Sequence, residues 1–75
     1  MVPVGTQTIA FGPLCGDDGP VIELLYKEET DEFFGYTPEL PMAFRISLYE
    51  AKALMFSPKT KVIKKVFCGK YPSDE

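Results

Sequence analysis

The stretch MAFRISLYEAKALMF (residues 42–56) predicts a short strand that runs directly into a helix. Phe44 and Ile46 alternate with Arg45 and Ser47, which is the period of a strand. Ser47 and Glu50 have the spacing of a capping box, in which the serine hydroxyl accepts from the backbone N–H of Glu50 and the carboxylate reaches back. Alanine, leucine and lysine then favour a helix, which we expect to end before the next proline.

Upstream of this stretch, two alternating segments predict a β-hairpin. Residues 6–11 (TQTIAF) place Ile9 and Phe11 on one face of a strand. Residues 21–27 (VIELLYK) form a second strand with one wholly apolar face. Between them, GDDGP (residues 16–20) carries an Asp-Gly pair, which favours a tight turn.

Residues 28–41 (EETDEFFGYTPELP) combine five acids, four of them within residues 28–32, with three aromatic residues and two prolines. We predict a structured loop there, with a short strand at residues 33–36. The aromatic side chains either fold back onto the core, as so short a chain requires, or stand out as anchors for a partner. The candidate partner-binding residues are Glu28, Glu29, Asp31, Glu32, Phe33, Phe34 and Tyr36.

Residues 59–68 (KTKVIKKVFC) fit two kinds of element. Their β-branched and aromatic residues favour a strand, and lysines near the start disfavour a helix. The helical spacing of the apolar residues, with Pro58 before them and Gly69 after them, favours a second helix instead. We predict a final strand and keep a second helix as the alternative.

These elements predict one small α+β domain over residues 1–70, followed by a flexible C-terminal tail at residues 71–75. Its antiparallel sheet contains the β-hairpin, a third strand from the 42–56 stretch and the final strand, and the single α-helix packs on one face. The side chains expected in the core are Ile9, Phe11, Ile22, Leu24, Tyr26, Phe44, Ile46, Leu48, Ala51, Leu54, Met55, Val62, Val66 and Phe67.

The composition argues against an enzyme. The chain has no histidine, so it lacks the commonest general base and the commonest metal ligand. Its two cysteines, Cys15 and Cys68, are too few for a zinc site, and we expect two free thiols rather than a disulfide. The Asp17-Asp18 turn does not fit a calcium loop, because positions 3 and 5 counted from Asp17 are Gly19 and Val21, which offer no side-chain oxygen. We therefore expect no catalytic residue, no metal and no cofactor.

The charges are divided along the chain. Residues 1–40 carry eight acids and one lysine, whereas residues 41–75 carry seven basic residues and three acids. The opposed halves and the small core favour a homodimer. No apolar run approaches the roughly 20 residues of a membrane helix, and no basic segment resembles a signal peptide, so we expect a cytoplasmic protein without membrane contact.

The sequence therefore predicts a small non-enzymatic protein-interaction or accessory protein. It would bind another protein or a second copy of itself through residues 28–36, which we call the acidic-aromatic segment. The alternative is a nucleic-acid-binding module that uses the lysine-rich segment at residues 59–70. Its candidate contacts are Arg45, Lys59, Lys61, Lys64 and Lys65. An isoelectric point near 4.8 argues against nucleic acid, because domains that bind it are usually basic.

Overall fold

The computed structural model describes residues 4–14 and 19–67, which form an antiparallel sheet with one helix packed on one of its faces. The strands are β1 (Thr6–Pro13), β2 (Val21–Lys27), β3 (Glu32–Tyr36), β4 (Phe44–Ile46) and β5 (Lys61–Val62), and the helix α1 (Leu48–Met55) lies between β4 and β5. The order across the sheet is β4-β3-β2-β1-β5. The predicted α+β fold is confirmed, and the short strand predicted at residues 33–36 joins the sheet as β3.

The β1–β2 hairpin forms as predicted, with Thr6 paired to Lys27 and Pro13 paired to Val21. Leu14 and Pro20 extend the ladder by one further backbone hydrogen bond of 3.0 Å. The centre of the predicted turn lies outside the described residues. The same is true of both cysteines and of the tail at residues 71–75.

A β-bulge in β1 changes which of its side chains face the helix. Thr8 pairs with Leu25 and Ala10 pairs with Leu24, so Ile9 is an extra residue in the ladder. Both Ile9 and Ala10 are fully buried, and the alternation beyond them is shifted by one residue. Phe11 therefore points away from the helix and is 39% exposed, so its predicted place in the core is wrong.

The short strand predicted at residues 33–36 is present as β3, within a segment otherwise predicted to be a loop. It pairs with β2 on one side, where Phe34 lies opposite Leu25, and with β4 on the other. Gly35 makes this close packing possible, because a Cβ there would lie 2.6 Å from Phe44, 2.7 Å from Ile46 and 2.9 Å from Ile22. This glycine therefore belongs to a tightly packed strand.

Helix α1 begins after Ser47, whose hydroxyl accepts from the backbone N–H of Glu50 at 3.1 Å. The same hydroxyl also lies 3.2 Å from the Glu50 carboxylate, which therefore closes the cap through the side chain of Ser47. Ala51, Leu54 and Met55 bury one face of the helix. Leu48 was expected beside them, but it lies in the first turn and is 63% exposed, so that prediction is wrong.

The final segment is largely irregular. Its strand is confined to Lys61–Val62, and no second helix forms in the part described up to residue 67. The carbonyl of the bulged Ile9 holds the chain beyond β5 by accepting from the backbone N–H groups of Ile63 at 2.8 Å and Lys64 at 3.1 Å. The buried Thr60 hydroxyl donates to the carbonyl of Leu54 at 2.5 Å and ties this segment to the helix.

The core lies between the sheet and the helix, as expected for two packed layers. Its buried members are Ile9, Ala10, Ile22, Leu24, Phe33, Ile46, Ala51, Leu54 and Met55, and Tyr26, Phe44, Val62, Val66 and Phe67 pack against them. The described part of the chain includes no helix with the length and apolar character needed to cross a membrane.

Candidate protein-binding surface

The acidic-aromatic segment divides into an exposed turn and a strand with two different faces. Residues 28–31 form the turn and Glu32–Tyr36 form β3. Successive side chains of a strand point to opposite faces, so Phe33 faces the helix whereas Phe34 and Tyr36 face away from it. The seven predicted partner-binding residues are thus close in space but are not all available to one partner.

Phe33 is part of the core. It is 4% exposed, and its ring lies 5.0 Å from that of Tyr26 and 5.4 Å from that of Phe67. It also pairs with Ile46 across β3 and β4. Phe33 therefore stabilises the fold and is not accessible as an anchor for a partner, a distinction that the alternation in EFFGY (residues 32–36) already indicates.

The sheet face turned away from the helix, which we call the open face, has an apolar centre. Phe34 and Tyr36 on β3 are only partly buried there. Leu25 lies beside Phe34 and is 2% exposed, although it does not belong to the helix-side core. Phe11 and Val21, which is 65% exposed, continue the apolar surface onto β1 and the start of β2. Sequence reasoning missed Phe11 as a surface residue because the bulge was not predicted.

Charged side chains border this apolar surface, and one of them, Glu23, lies within it. Arg45 on β4 forms an ion pair of 2.8 Å with Glu32 on β3. The Thr30 hydroxyl donates to Glu32 at 2.6 Å, and this bond, together with Arg45 and Lys27, lowers the pKa of the Glu32 carboxyl against the opposing effect of burial. Glu32 is thus held ionised in the sheet, next to Phe34.

Glu23 lies between Phe11 and Tyr36 in the cross-strand register, at the middle of the open face. It accepts a hydrogen bond from the hydroxyl of Thr8 on β1. Lys61 on β5 pairs with Phe11 and extends the same face at the outer edge of the sheet. Acidic and basic side chains are therefore both present on the open face.

The acidic turn at residues 28–31 lies at one end of the open face, just before Glu32. Glu28, Glu29 and Asp31 are all exposed. Asp31 adopts a left-handed backbone conformation with φ of 55° and accepts a hydrogen bond from the hydroxyl of Tyr26. That hydrogen bond, followed by burial and the negative charges nearby, raises the pKa of the Tyr26 phenol above its ordinary value of 10.0.

The five predicted nucleic-acid contacts do not form one basic surface. Arg45 lies on β4 and Lys61 on β5, at opposite edges of the sheet. Four strand spacings separate these edges, which corresponds to about 19 Å. Lys59, Lys64 and Lys65 are exposed beside β5, and the Lys64 amine lies 3.5 Å from the Gln7 side-chain oxygen. Within the part of the chain that the structure describes, the lysines are therefore concentrated at the β5 edge.

The helix side has two shallow clefts. One, of about 280 Å³, lies between the end of β1 and the helix beside Leu14 and Tyr49. The other, of about 270 Å³, lies beside Tyr26 and Phe67. Among the residues that the structure describes, no three histidine, cysteine or acidic side chains lie together as a metal site would require.

Comparison of the chain with protein-family models, with curated proteins and with solved structures finds no match.

Proposed function

We propose that the protein acts by binding another protein through the open face of its sheet. The observation that carries this proposal is the apolar surface of Phe34, Tyr36, Phe11 and Val21 on the side of the sheet opposite the helix. Aromatic side chains rimmed by charge are typical of the centres of protein interfaces. The acidic turn before Glu32 lies at the rim, where charge affects the choice of partner and the rate of association.

Nucleic-acid binding has weaker support. Aromatic side chains on a sheet can stack on bases when basic residues line the path of the backbone. Here Glu23 and Glu32 occupy the same face as the aromatic residues, and Arg45 and Lys61 are separated by the width of the sheet. Phosphate groups would be repelled by the two carboxylates.

Site-specific photo-cross-linking tests the proposal directly. A benzophenone amino acid would replace Phe34 on the open face or, as a matched control, Tyr49, which is 83% exposed on the helix. We expect cross-linking to a second polypeptide from position 34 and none from position 49. Equal yields at the two positions, or no product at position 34, would contradict the proposal.

A titration of the partner then measures the contribution of one aromatic side chain. Tyr36→Ser should raise the dissociation constant by about 10-fold or more, because a partly exposed aromatic residue at the centre of an interface contributes strongly to binding. Tyr49→Ser removes a side chain of the same size from the other side of the molecule and should leave the dissociation constant unchanged.

A further inference from the structure

The size of the open face limits what it can bind. The five strands hold 25 residues in all, and at about 3.3 Å per residue and about 4.8 Å between strands they form a face of about 400 Å². Two such faces placed together bury about 800 Å², below the roughly 1,000 Å² of a stable specific interface. This area suits a weak, reversible complex with a partner of similar size.

The charges on the open face are mixed, which favours a self-complementary partner. Glu23 and Glu32 share the face with Lys27, Arg45 and Lys61. A strongly basic or strongly acidic partner would meet like charges somewhere on this surface. A second copy of the same chain can instead place each charge against its opposite.

The positions of two charges suggest one arrangement of two copies. Glu32 lies at one end of β3, next to the acidic turn, and Lys61 lies three strands away on the edge strand β5, level with Phe11 and Glu23. A two-fold axis that runs obliquely to the strands, between the two sheets, exchanges these two positions. It brings Glu32 of each copy onto Lys61 of the other, and it brings the acidic turn at residues 28–31 beside the partner's lysine-rich edge.

Packing with parallel strands is less favourable. A two-fold axis along β2 would bring Arg45 towards Lys61 of the other copy, and it would leave Glu32 four residues along the strand direction from that lysine. The sheets should therefore cross at a large angle, which is one of the two common ways in which sheets pack face to face. The apolar centre around Leu25 and Phe34 lies near the crossing point in this arrangement.

We infer that the occupant of the open face is a second copy of this chain, packed face to face with crossed strands so that Glu32 of each copy contacts Lys61 of the other. This inference rests on the proposed function and names its partner. Within one chain, three strand spacings, or about 14 Å, separate the strands of Glu32 and Lys61, so these side chains make contact only between copies.

Analytical ultracentrifugation of the full chain from about 1 μM to 1 mM tests the inference, because a small interface should dissociate within this range. We expect a monomer–dimer equilibrium that shifts towards monomer at high salt, because salt weakens the ion pairs that we infer between Glu32 of each copy and Lys61 of the other. Glu32→Lys and Lys61→Glu should each raise the dissociation constant by about 10-fold or more through like-charge contacts. The double variant should return it to within about 3-fold of the wild type.

Lys52→Glu reverses an exposed charge on the helix and serves as the control, with no expected change in dimerisation. Circular dichroism verifies that each variant is folded.

A wild-type chain that stays monomeric, or a double variant whose dissociation constant is as high as those of the single variants, would overturn the inference. If the monomer still cross-links to a different polypeptide at position 34, the proposed function stands without self-association. If dimers form without cross-linking at position 34, both proposals are wrong.

Discussion

Two neighbouring phenylalanines should respond very differently to truncation. Phe33 is 4% exposed and contacts the rings of Tyr26 and Phe67. A phenylalanine that buries about 150–200 Å² contributes about 4 kcal/mol to the free energy of unfolding at 25 cal/mol per Å². Phe33→Ala should therefore lower the free energy of unfolding by about 4 kcal/mol, which also agrees with typical Phe→Ala losses in cores.

Phe34→Ala should cost only about 1–2 kcal/mol. Phe34 is partly exposed on the open face, and it lies opposite Leu25 and Arg45. Cross-strand pairs of this kind contribute roughly 0.2–1 kcal/mol each. The predicted difference is large for a chain of this length, whose total stability at 0.05–0.15 kcal/mol per residue is about 4–11 kcal/mol.

Urea unfolding followed by far-ultraviolet circular dichroism measures both variants, since the chain has no tryptophan to report on folding. We expect a much lower midpoint for Phe33→Ala and a modest shift for Phe34→Ala. A loss for Phe34→Ala equal to or greater than the loss for Phe33→Ala would refute the assignment of these side chains to opposite faces of β3.

Three further changes test other parts of the structure. Gly35→Ala should lower the free energy of unfolding by about 1–3 kcal/mol in the same urea assay, because its Cβ would overlap three core side chains; full stability would contradict the packing around β3. Ser47→Ala removes the helix cap and should cost about 1 kcal/mol, whereas an unchanged unfolding midpoint would be inconsistent with that cap. The phenol of Tyr26 should ionise above pH 10.0 in ultraviolet absorbance, and Asp31→Asn should return it towards that value. Because the pKa of the Tyr26 phenol is higher in the folded state than in the unfolded state, its hydrogen bond stabilises the fold fully below pH 10.0, and this stabilisation is lost as the pH rises through the raised pKa. Identical titration of the wild type and the Asp31→Asn variant would rule out the hydrogen bond.

The hairpin and the capped helix are predictable because their signals are local. Alternation in β2 assigns Leu24 and Leu25 to their correct faces, and the spacing of Ser47 and Glu50 identifies the start of the helix. Each of these signals depends on a few adjacent residues, so one sequence is enough to interpret them.

The candidate surface is less predictable because it depends on contacts between strands. The bulge at Ile9 exposes Phe11, and no turn or glycine in the sequence marks that bulge. The sequence predicts the short strand at residues 33–36, but its place in the sheet depends on pairing with β2 and β4, which no local signal identifies. For residues 59–67, contacts with Ile9 outside the segment determine the conformation, so local propensity could not decide it.

We propose that two copies of this protein meet through the open face of the sheet and not through the helix side. Nuclear magnetic resonance spectra over a dilution series test it most directly, because they report on both sides of the sheet in one sample. We predict that signals from Leu25, Phe34 and Tyr36 shift as the protein concentration rises, while those of Ala51 and Leu54 on the buried face of the helix stay constant. Shifts confined to the helix side, or none at any concentration, would contradict the claim that two copies meet through this face.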